Sequence, residues 1–169
     1  MLRRLRENGP VVLVPLAWTF ATAAHLDLLA MRTVLVANLV MDGIIAAFTV
    51  LSWREMTDGV LLVWRRVLVA GLVVTLVGTG ALLADPPVEP LLSATVVGWM
   101  LVPAAGLVAT GRLVDRRPRA YLAGGALSVV GAAAYVAGLL AVVPVFLLAG
   151  LTLTNLGQTA GIVAAVYDY

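Results

Sequence analysis

Apolar residues run along this chain in blocks of about twenty, and short clusters of Arg, Asp, Pro and Gly separate the blocks. At 1.5 Å rise per residue such a block covers the ~30 Å hydrocarbon layer of a bilayer, so each predicts a transmembrane helix. The blocks lie at 10–30, 33–53, 64–84, 91–110, 120–142 and 145–167. They predict an all-α integral membrane protein, with six transmembrane helices forming one compact bundle over 1–169.

Two boundaries need argument. Trp64, Arg65 and Arg66 interrupt the third run after Val60 to Val63, and predict an interfacial turn with the span proper starting near Val67. Only Pro144 divides the last long apolar stretch, which at 1.5 Å per residue is too long for one span and so predicts a tight helical hairpin. At the other end, MLRRLRENG followed by Pro10 to Ala30 resembles a secretion leader, with Ala21-Thr22-Ala23 as small residues near a cleavage position. The apolar run continues past that position and contains Pro15 and Trp18, so a retained helix is expected.

Composition agrees with the pattern. The chain is 62% hydrophobic and 12% charged, far from the roughly 45–50% and 25% of soluble domains. All 11 basic residues are Arg, and they alternate between loops. Arg3, Arg4 and Arg6 precede span one, Arg54, Arg65 and Arg66 lie between spans two and three, and Arg112, Arg116, Arg117 and Arg119 lie between spans four and five. The opposite side carries Arg32 with Asp27, Asp85 and Glu89. Retention of basic loops in the cytoplasm then predicts cytoplasmic N- and C-termini in a multi-pass protein of the cell membrane. Basic charge clustered at helix ends is not a nucleic-acid footprint, so no nucleic-acid partner is expected. With no Cys, disulfides, thiolate metal sites and cysteine nucleophiles are excluded.

Close helix contact in lipid favours small residues on one face. Gly71 and Gly78, then Gly124, Gly131 and Gly138, then Gly150 and Gly157 each recur every seven residues, and Gly157 with Gly161 forms a GxxxG. These faces are expected to pack spans three, five and six. Pro103 removes a backbone donor inside span four and is expected to kink it.

Polar residues within the spans are the candidate site. Asn38 and Asp42, four apart, share one helix face near the middle of span two, where an ionised carboxylate meeting lipid would cost several kcal/mol. Counting depth from the outer boundary puts His25 near Asn38 and Asn155 near Asp42, with Gln158 one turn further in. His25, Asn38, Asp42, Asn155 and Gln158 are therefore expected to form one internal polar patch if spans one, two and six adjoin. The plainer alternative for Asn155 and Gln158 is interhelical hydrogen bonding worth about 0.6–2 kcal/mol. His25 reads as a satisfied polar end.

Catalytic patterns are scarce. One His and no Ser-centred nucleophile elbow leave no triad, His25 with Asp27 or Asp42 makes a poor metal site, and no glycine-rich nucleotide loop follows a strand. No enzymatic activity, metal or specific cofactor is read from the chain.

Gly111-Arg112-Leu113-Val114-Asp115-Arg116-Arg117-Pro118-Arg119 is similar to the G-x-L-a-D-R-x-G-R cytoplasmic loop of the major facilitator transporters. There the loop joins the second and third spans, whereas here it joins the fourth and fifth with Pro118 in place of Gly, and the chain has half the usual helices; membership is not read from it. Ala17-Trp18-Thr19-Phe20-Ala21 loosely resembles the Ala-x-x-x-Ala of the vitamin-capturing subunits of energy-coupling-factor transporters.

Two functions are compatible with this pattern. One is solute transport or substrate capture of a small molecule or ion at the polar site, as a homo-oligomer or with a membrane partner subunit. The other is a non-catalytic accessory protein whose glycine faces bind partner helices.

Overall fold

The computed structural model describes the backbone of residues 2–168 and the side chains of 11–166. Six helices account for nearly all of it: α1 Leu2–His25, α2 Met31–Ser52, α3 Gly59–Leu83, α4 Glu89–Leu113, α5 Pro118–Ala141 and α6 Pro144–Asp168. Helices α2 to α6 are each long and apolar enough to cross a membrane, while the apolar stretch described in α1, Val11–His25, is shorter. The arrangement is that of a multi-pass helical membrane bundle. The side chains of Arg3, Arg4 and Arg6 lie outside the described residues.

Surface and interior follow the logic of lipid. Large apolar side chains point outward, among them Leu16, Val36, Val50, Leu51, Val73 and Leu140. The interior is instead rich in small and hydroxyl-bearing residues, which allow helices to approach closely without hydrophobic drive. On α5 the buried positions are Tyr121, Gly124, Gly125, Ser128, Gly131, Ala132, Tyr135 and Gly138, a single stripe spaced by three and four.

Helices α4, α5 and α6 touch one another and form the centre; α3 lies on α4, α2 on α3, and α1 on α6. Helices α1 and α2, although consecutive, pack on different partners, α6 and α3.

The glycine stripes define the α5–α6 contact. A Cβ built on Gly124 would sit 2.5 Å from the Gly157 carbonyl oxygen, and one on Gly157 would sit 2.5 Å from that of Gly124. Gly131 and Gly150 face each other in the same reciprocal way, at 2.7 and 2.6 Å. Backbone lies directly against backbone. The α3 glycines, by contrast, face α4 rather than α5 or α6: Gly71 takes the Trp99 ring and Gly78 the Thr95 side chain.

Helix ends depart from the sequence expectation at two places. Helix α1 ends at His25 rather than Ala30, because Asp27 turns left-handed (φ 57°) before Ala30 restarts the chain as an extended N-cap. Helix α3 starts at Gly59, so Trp64, Arg65 and Arg66 are helical rather than an interfacial turn. No Pro or Gly breaks 60–70, and Trp64 turns inward, where its Nε1–H donates to Thr110 Oγ1 at 3.2 Å. The α5–α6 break is where Pro144 placed it. The amides of Val142 (φ 55°) and Val143 both close on the Gly138 carbonyl, and Pro144 begins α6.

Candidate functional site

Helix α2 presents one stripe to α3: Asn38, Asp42, Ile45, Thr49 and Ser52, spaced alternately by four and three. Four of the five are polar, an expensive choice in a bilayer unless each group finds a partner.

Thr79 of α3 organises the upper part of the stripe. Asn38 Nδ2 donates to Thr79 Oγ1 at 2.8 Å and to the Thr75 carbonyl at 3.2 Å. Thr79 Oγ1–H in turn donates to Asp42 Oδ2 at 2.5 Å. The hydroxyl thereby accepts once and donates once, as its chemistry permits. The remaining carboxylate oxygen, Asp42 Oδ1, is buried and has no hydrogen-bond partner. Among the described residues no Arg or His pairs with it. Burying a polar oxygen without a partner is costly, so Oδ1 stands out as an acceptor that the protein itself leaves unsatisfied. The adjoining faces leave room: methyl groups added at Gly43 or Gly80 would meet nothing within 4 Å.

The other sequence candidates lie elsewhere, because α1 packs on α6 while α2 packs on α3. Of the five proposed for one patch, only Asn38 and Asp42 come together. His25 ends α1 with Nδ1 at 2.8 Å from the Ala21 carbonyl and Nε2 at 2.7 Å from Tyr135 Oη. A carbonyl only accepts, so Nδ1 carries the proton and, in the neutral ring, Nε2 accepts from the tyrosine. Asn155 Oδ1 accepts from Thr159 Oγ1, one turn along α6, at 3.1 Å.

Gln158, 2% exposed, is the junction of four helices. Its Oε1 accepts the indole N–H of Trp18 (α1) at 3.0 Å. Its amide nitrogen lies 3.0 Å from the Trp99 carbonyl and 3.3 Å from that of Met100 (α4), and 3.1 Å from Ser128 Oγ (α5). Pro103 explains the first of these contacts. Within α4 the amide of residue 103 would cap the carbonyl of residue 99; proline has no N–H, so Trp99 keeps a free acceptor. Gln158 supplies the missing donor.

A chain of hydrogen bonds connects this junction with Asp42. Trp99 Nε1–H donates to Thr75 Oγ1 at 3.0 Å, Thr75 shares its carbonyl with Asn38, and Asn38 meets Thr79 and Asp42. Sequence reasoning passed over Thr75, Thr79, Trp99, Ser128 and Trp18. The first two were findable, since they sit four apart on the face of α3 that also bears Gly71 and Gly78.

No group of three or more His, Asp or Glu residues able to hold a metal ion occurs among the described residues. No family model, no curated protein and no solved structure matches the chain, so function is read from Asp42 and its neighbours alone.

Proposed function

We propose that this chain is a small transport or substrate-capture protein of the cell membrane, with Asp42, Asn38 and Thr79 as an intramembrane site for a proton or a small cation. The buried, unpartnered Oδ1 of Asp42 is the observation that carries the reading. Asn38 and Thr79 fix the carboxylate, Asp42 supplies the charge, and the open faces at Gly43 and Gly80 give a ligand or a partner subunit room to approach. The accessory alternative draws less support, because the glycine faces it would offer to partner helices are filled by this chain's own α4, α5 and α6.

Asp42→Asn tests the site. The amide keeps size and can still accept from Thr79, so thermal stability in detergent should change by no more than about 1 kcal/mol. Proton or monovalent-cation uptake into proteoliposomes, and cation-dependent thermal shifts, should disappear. A folded Asp42→Asn protein that keeps every cation and pH response would sink the assignment.

In the same reading α1 completes a six-span topology with both termini cytoplasmic, supported by the alternation of Arg among the loops. Glu89 and Arg116 are both exposed, and the absence of Cys provides a clean background for labelling. Cysteines at these positions are expected to react with an impermeant maleimide from opposite sides of the membrane; reaction from one side overturns the topology.

A further inference from the structure

A shallow hollow of about 340 Å³ lies where the C-terminal end of α2 meets α3, lined by Trp53, Arg65, Arg66, Val69 and Ala70. Its two halves differ in chemistry. The Arg65 guanidinium carbon lies over the Trp53 ring, 4.7 Å from the centroid, with Nη1 at 3.4 Å from the Trp53 carbonyl. Of five guanidinium N–H groups the carbonyl takes one, so the stacked cation is fixed with donors to spare. Arg66 beside it is exposed. One turn further along α3, Val69 and Ala70 continue the same wall as apolar surface, and Val69 is 40% exposed.

Depth gives the pairing its meaning. From Arg66 to Leu83 the helix rises about 25 Å, so the arginines fall near one boundary of the ~30 Å hydrocarbon layer while Val69 and Ala70 lie inside it. Two cations at headgroup level above an apolar slot match an anion carrying a hydrocarbon tail. The hollow of about 520 Å³ that shares Trp53 is lined by both Arg54 and Glu55; its opposite charges make it a poor anion site.

We infer that Arg65 and Arg66 bind the phosphate of an anionic phospholipid, with Trp53 holding Arg65 in place and one acyl chain lying along Val69 and Ala70. The two guanidinium groups supply charge-assisted hydrogen bonds to phosphate oxygens, the geometry in which Arg excels. The lipid in turn bridges α2 and α3, the pair that also carries Asp42.

Native mass spectrometry of the detergent-solubilised protein, titrated with phosphatidylglycerol or phosphatidylcholine, tests this. Phosphatidylglycerol should bind saturably and phosphatidylcholine weakly. Arg65→Gln with Arg66→Gln should weaken phosphatidylglycerol on the order of thirtyfold, and Arg66→Gln alone, which leaves the stacked arginine intact, about fivefold. Arg116→Gln with Arg119→Gln removes the same charge from a distant loop and should leave binding unchanged. Equal loss in both double variants, equal binding of the two lipids, or displacement of phosphatidylglycerol by millimolar inorganic phosphate would each overturn the proposal.

Discussion

Gly131→Leu is expected to unfold the protein or weaken it by about 3 kcal/mol or more, the upper end of overpacking costs. A Cβ at this position would already lie 2.7 Å from the Gly150 carbonyl oxygen and 2.9 Å from the Thr154 amide nitrogen. These are backbone atoms of α6 and cannot rotate aside. The leucine side chain therefore forces the two helices apart, and Gly124 against Gly157 then loses contact along the same seam. Separation also breaks the close approach in which Cα–H···O contacts form between membrane helices. Ala126, exposed on the same helix, provides the control: Ala126→Leu points to lipid and should change stability by about 0.5 kcal/mol or less. Gly131→Ala should fall between the two. Unfolding in mixed detergent–SDS micelles measures all three, and equal midpoints for Gly131→Leu and Ala126→Leu would refute the seam.

Much of the fold was legible because lipid imposes simple rules. Span length, the Pro144 break and the seven-residue glycine spacing each follow from one physical constraint, and the helices, hairpin and α5–α6 seam match them. Neighbour relations were not legible in the same way. The distance between consecutive helices is limited by their loop at one end only, so the five-residue link 26–30 tied α1 to α2 in the chain without packing them together. The polar patch inferred from depth alone divided for that reason: Asp42 met α3, and Gln158 met α1, α4 and α5. Trp64-Arg65-Arg66 misled in another way. Charge and aromaticity suggested a turn, yet nothing in those residues terminates a helix, and α3 runs through them. Asp42 itself was visible as a midplane carboxylate; its hydroxyl partner on α3 required the helix pairing to be known.

The same pairing makes Gln158 the position whose loss should reach furthest. Replacement by Met keeps length and apolar volume but removes both amide functions. Trp18 Nε1 then loses its acceptor, while the Trp99 carbonyl and Ser128 Oγ lose their donor, around a position that is only 2% exposed. Each stranded group costs about 1–3 kcal/mol, though intramembrane partners reorganise, so a total of roughly 2–4 kcal/mol is expected for Gln158→Met. Pro103 separates a specific role from a general one. In Pro103→Ala the helix regains an amide at residue 103, and the Trp99 carbonyl recovers its own i+4 donor. Gln158→Met should therefore cost less in the Pro103→Ala background than in the native chain, by about 1 kcal/mol for the one bond made redundant. Unfolding free energies for the four proteins complete the cycle, and strictly additive losses would show that Gln158 does not stand in for the donor that proline removed.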